Sequence, residues 1–130
     1  MNTAGRKRAL GEFPPLPAEY TEDVVFADPG GYVELRCAYG RNKSIYSCGV
    51  RFQRVRAFQF RAEPYCTAWH VVSGLIEVEQ SGWIRELLAD EPPQFVWPWP
   101  IRHFLVYIED AGAYEIAAAD VEWLPEELVS

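Results

Sequence analysis

The chain is written in short alternating runs. Residues 32–38 set Val33, Leu35 and Cys37 on one face and Glu34 and Arg36 on the other, the period of two expected of a half-buried strand. Residues 45–52 repeat the pattern with Tyr46, Cys48, Val50 and Phe52, and residues 55–62 carry Phe58 and Phe60 on a common face. Turn chemistry separates the runs. Asp28-Pro29-Gly30-Gly31 closes a short strand at 24–27, and Gly40-Arg41-Asn42-Lys43 marks the next reversal. Gln53-Arg54 reads as a tight turn, which makes a three-stranded meander.

Glu63-Pro64 interrupts the alternation. Two further short strands are predicted at 68–72 and 75–79 around Ser73-Gly74, the second with Ile76 and Val78 pointing inward. The period then changes. Ser81 is an N-cap residue ahead of Gly82–Ala89, where Trp83, Ile84, Leu87 and Leu88 recur at three and four, so a helix is predicted there and Pro92 and Pro93 stop it. A hairpin follows, with strands at 103–109 and 113–119 around Asp110-Ala111-Gly112. Residues 121–124 read as a last strand and 125–130 as an acidic tail. The fold class is α+β, mainly β: a strongly bent antiparallel sheet or partly closed barrel with one principal helix. Residues 1–21, with Pro14, Pro15 and Pro17, read as a tail that lies on the domain through Phe13, Leu16 and Tyr20. Residues 22–130 form a single domain.

Composition narrows the function classes. The chain has 130 residues, 49% hydrophobic and 15% aromatic, enough for one domain with a sizeable core. Twelve basic residues oppose 19 acidic ones, for a formal net charge of -7. That balance disfavours phosphate-backbone binding and favours a partner with a basic surface. No run approaches the roughly 18 apolar residues of a membrane span, and no apolar run follows Arg6-Lys7-Arg8. A cytoplasmic protein with no membrane and no nucleic-acid partner is expected. The odd cysteine count, Cys37, Cys48 and Cys66, points to free thiols rather than a disulfide.

Four constellations could carry chemistry. Cys66 and His70, four apart, with Cys37, Cys48 and His103 elsewhere, could approach a zinc site, but no CxxC pair is present, and neither a metal nor a cofactor is expected. Cys66 beside His70 or His103 could form a thiolate–imidazole pair, yet no family signature flanks it and no catalytic residue is assigned. Charge is segregated: residues 41–62 hold Arg41, Lys43, Arg51, Arg54, Arg56 and Arg61 without an acidic residue, and residues 109–130 hold seven acidic residues without a basic one. The two segments either neutralise each other across strands or leave an acidic binding face. In the loop 94–100, Phe95, Trp97 and Trp99 lie between prolines, which suits a stiff aromatic anchor or a lid over one end of the sheet.

Residues 81–124 resemble small bacterial domains of the toxin-immunity type. The likeness rests on Ser81 and Trp83 opening a short helix, His103-Phe104 opening an apolar strand, and Tyr114-Glu115-Ile116-Ala117-Ala118 closing the hairpin. The proline-rich stretch 94–100 lies outside that pattern. The resemblance implies a non-enzymatic protein-binding domain that inhibits a toxin, and it carries over no catalytic residue. On this reading the partner surface comprises Phe95, Trp97, Trp99, Glu109, Asp110, Glu122 and Glu126. The alternative is a small-molecule-binding barrel whose mouth is lined by Tyr46, Phe58 and Phe60.

Overall fold

The computed structural model describes residues 5–92, 94 and 98–129. Seven strands and one α-helix follow in the order β1 (Arg6–Gly11), β2 (Tyr20–Ala27), β3 (Tyr32–Arg41), β4 (Ser44–Ala62), β5 (Leu75–Glu79), α1 (Gly82–Ala89), β6 (Arg102–Ile108) and β7 (Gly112–Leu128). All strand pairs are antiparallel, in the spatial order β1-β5-β6-β7-β4-β3-β2, so the sheet is open, with β1 and β2 at its edges.

The two longest strands set the shape. β4 pairs with β3 only over Ser44 to Gln53, and β7 pairs with β6 only over Gly112 to Ala118, whereas β4 and β7 pair with each other along nearly their whole length. The sheet thus has two leaves that share β4 and β7. The bend between them falls where Arg54 takes a φ of 55° and the register shifts between Val55 and Ala57. A bulge of this kind adds local twist and turns the strand. The inner faces of the leaves meet across the bend: the Phe52 and Phe104 rings lie 5.4 Å apart, as do those of Phe26 and Tyr114. Around them Val33, Leu35, Tyr39, Val50, Leu75, Val106 and Ile116 are buried.

Several expectations are corrected here. Gln53-Arg54 is not a turn, because residues 55–62 continue to pair with β7; a bulge interrupts alternation in the sequence just as a turn does. Residues 68–72 form turns rather than a strand, with Thr67 and Ala68 carbonyls accepting from the amides of His70 and Val71. β7 runs on to Leu128 instead of ending before Pro125. That proline sits where the register shifts between Ser47 and Gly49, a position that needs no ladder donor. The segment read as a tail supplies β1, and its Phe13 is part of the core. The helix lies at Gly82–Ala89 as predicted, with Ile84 N–H donating 3.2 Å to the Ser81 hydroxyl.

The outer face of β5, β6 and β7 carries a second, smaller cluster. Ile76, Val78, Leu105 and Ala113 are covered by Cys66, Trp69 and Val72 from the segment 63–74, and α1 lies against β6. This cluster is mixed with buried polar side chains.

Candidate functional site

The proposed partner residues do not form one surface. Glu122 lies 3.6 Å from Arg51 and accepts from the Gln53 amide, and Glu126 is 2.6 Å from Arg41. Neutralisation of β7 by Arg41 at the end of β3 and by Arg51 on β4 therefore accounts for this end of the acidic segment. Glu109 and Asp110 lie at the other end of β7, about 50 Å away along the strand contour. Both are exposed, and neither has an ion-pair partner among the described residues. Trp99 is exposed with the Arg54 guanidinium 4.6 Å above its ring, and Phe95 and Trp97 lie outside the described residues. The alternative ligand residues also separate. Tyr46 stacks on Tyr39 under Arg41, whereas Phe58 and Phe60 join Phe26 and Tyr114 at the far half of β4.

The densest chemistry is a buried polar cluster that sequence reasoning only touched. Glu115 on β7, His103 on β6, Ser81 at the helix cap and His70 in the covering segment are all nearly inaccessible. One Glu115 oxygen is 2.8 Å from His103 Nε2; the other accepts from the Gln59 amide at 3.0 Å and faces His70 Nε2 at 3.9 Å. On the far side of its ring, His103 Nδ1 is 2.8 Å from the Ser81 hydroxyl. Trp83 and Trp69 flank His103 with centroids at 4.9 and 6.2 Å.

Hydrogen-bond geometry assigns the protons. The Thr67 amide donates 3.0 Å to His70 Nδ1, so that nitrogen holds a lone pair and Nε2 holds the hydrogen. His70 Nε2 has no hydrogen-bond partner among the described residues. Burial pushes the His70 pKa below its ordinary 6.5, against the pull of Glu115. His103 is bonded through Nε2 to Glu115 and through Nδ1 to the Ser81 hydroxyl, while the Ser81 oxygen accepts from Ile84 N–H.

This arrangement decides what the cluster can do. His70 cannot ligate a metal through Nε2 without losing its bond from Thr67, and Cys37 and Cys48 face each other on the opposite side of the sheet. The Cys66–His70 pair does not form: the thiol donates to the carbonyls of Arg61 and Ala62 at 3.4 and 3.6 Å. Ser81, His103 and Glu115 stand in the order of a hydroxyl, an imidazole and a carboxylate. The hydroxyl, however, is a helix cap that is 6% exposed and is already bonded to both Ile84 N–H and His103 Nδ1. Its arrangement is that of a structural lock. The sequence signal for it was Glu115, a lone carboxylate within the otherwise apolar run 113–119.

A pocket of about 220 Å³ adjoins the covering segment on another side. Its walls are Phe13, Pro14, Val71, Val72 and Tyr107, and it also takes in Glu12 and Glu109. Leu16 and Val71 at this site are 58% and 56% exposed. Glu12 uses one oxygen to accept from Leu16 N–H, and Tyr107 donates to Glu63. Comparison with protein-family models, curated proteins and solved structures gives no match.

Proposed function

We propose that the chain is a protein-binding domain, an immunity-type inhibitor of a bacterial toxin, and that its partner docks with a basic surface at the Glu109–Asp110 end. The carrying observation is the pocket beside that turn. It combines exposed apolar side chains, Leu16 and Val71, with the carboxylates of Glu12 and Glu109, and no lysine or arginine lines it. Apolar walls with acidic groups suit the stem and head of an arginine or lysine. The acidic residues at the opposite end of β7 are already paired within the chain, so they contribute less to recognition.

The test is a pull-down from the source organism followed by association kinetics at two salt concentrations. The association rate should fall as salt rises, because screening shortens the reach of the charges to about 8 Å at physiological ionic strength. Glu109→Lys with Asp110→Lys should slow association more than Glu122→Lys with Glu126→Lys. Equal effects of the two pairs would reject the assignment of the surface.

A second reading has one observation in its favour. Phe58 and Phe60 are 43% and 51% exposed beside Phe26 and Tyr114, with ring centroids 4.8 to 5.4 Å apart. An apolar small molecule could cover these rings. A melting temperature raised by such a ligand, and lost in Phe60→Ser, would favour it.

A further inference from the structure

The pocket proposed above shares a wall with the buried histidine cluster. Val71, Val72, Ser73 and Gly74 line it, and they follow His70 directly in the chain. The covering segment has little backbone bonding of its own. Cys66, His70 and Val71 amides bond to carbonyls of the same segment, and Glu63 N–H bonds to Ala111. Its deepest anchor is the His70 ring, fully buried and held by the Thr67 amide at 3.0 Å and the Thr67 hydroxyl at 3.0 Å.

We propose that His70 is an acid-sensitive latch on this wall: a proton added to its ring detaches the segment 67–74 and opens the side of the partner pocket. This rests on the pocket being the partner site.

Geometry sets the direction. In the neutral ring Nε2–H already faces Glu115, so the added proton must go to Nδ1, which faces the Thr67 amide. The Thr67 hydroxyl can turn to accept from it, but the amide cannot. The Thr67 N–H and the new ring N–H would then oppose each other in a site with no solvent exposure, which weakens the turn from Thr67 to His70.

The surrounding charges do not rescue it. Among the described residues Glu115 on β7 is the one carboxylate facing the ring, and it is already held by His103 from β6 and Gln59 from β4. Arg61 on β4 and Lys7 on β1 both oppose a further positive charge, and Lys7 is tied to Trp69 through its carbonyl and its ring. Because the folded state resists a proton that the open state accepts near 6.5, closure is complete above about pH 6.5. It weakens as pH falls below that value, by at most tenfold per pH unit, and levels off below the folded-state pKa.

The experiment is hydrogen exchange of the free protein, read by mass spectrometry on peptides spanning 67–74 and 48–58 and corrected for the intrinsic pH dependence. Exchange in 67–74 should rise, by up to about fivefold, between pH 6.5 and 5.5 while 48–58 stays protected. His70→Asn offers an amide oxygen to Thr67 N–H without titrating, and should flatten the rise. If that variant is poorly folded, the ring-proton chemical shift of wild-type His70 against pH gives a second readout. Its midpoint must lie below 6.5 and coincide with the opening. Uniform exchange at both pH values, or an unchanged rise in a folded His70→Asn protein, overturns the latch. No partner is needed for these measurements, so failure of the partner reading would show separately, as loss of retrieval with the latch intact.

Discussion

The two faces of the sheet are covered by different means. On the inner face, Phe52, Phe104, Leu35, Val50 and Ile116 pack two leaves of one bent sheet together, and the stabilisation comes from apolar area removed from water. On the outer face, a largely irregular segment covers Ile76, Val78 and Leu105, and a short helix lies against β6. The space between them holds His70, His103, Ser81 and Glu115. A polar group in that setting stabilises only while its partner is present, and costs free energy once the partner is gone. The inner core should therefore tolerate changes that keep its volume, and the outer cluster should not.

Substitutions can separate the two behaviours. Phe104→Ala empties the inner core and should cost about 3–5 kcal/mol, read as a lower denaturation midpoint at unchanged slope. Glu115→Leu keeps apolar bulk, yet leaves the His103 Nε2–H and the Gln59 amide without an acceptor. A loss of about 3 kcal/mol is expected. A neutral result there would break the comparison, because the outer cluster would then behave as ordinary apolar packing. Ser81→Ala removes both the helix cap and the hydrogen-bond partner of His103 Nδ1, and should cost about 1–2 kcal/mol; Ser81→Thr should restore most of it.

Acid offers a further separation. On the inner face Arg102, with Arg8, holds the Glu77 carboxyl below its usual 4.5. Its contribution is present above that value and is lost as pH falls through the folded-state pKa, so Glu77→Gln should flatten the decline of stability below pH 4.5. The His70 effect begins higher, below about 6.5, and a two-stage acid profile is the expected result. The smallest effects lie at the surface. Glu126→Lys breaks an exposed pair with Arg41 and should cost about 0–1 kcal/mol, while Glu109→Lys should change stability by no more than about 0.5 kcal/mol in thermal melts.

Local pattern was enough wherever a rule acts over a few residues. The period of two in β3, the turn from Asn42 to Lys43 with φ of 52° and 65°, and the cap at Ser81 all depend on neighbours in sequence. They were legible for that reason. The hairpin around Asp110, whose φ is 70°, was legible on the same terms. The odd register at Arg54 was not, because a bulge and a turn disturb alternation alike, and only the presence of β7 alongside tells them apart. Residues 6–11 read as tail for a similar reason: Arg6, Lys7 and Arg8 have no strand pattern until β5 lies beside them and Glu77 and Glu79 meet their charges.

The candidate site divides along the same line. Its residue types were in view, since His70, His103, Cys66, Glu109 and Asp110 all drew attention as single side chains. Which of them meet was decided by long-range pairing. β6 sets His103 opposite Ala117 on one neighbour and Val78 on the other, and β7 brings Glu115 to the same outer face. A covering segment then supplies His70, while Cys66 turns to its own backbone instead. The sequence by itself determined the strand periods, the helix with its cap, the hairpin turns and the acidic balance, because each follows from adjacent residues or from a sum over the chain. The tertiary structure alone decided which carboxylates are neutralised, which histidine is sealed from water and where an open pocket remains, because charge pairing, burial and cavity shape depend on atoms far apart in the chain.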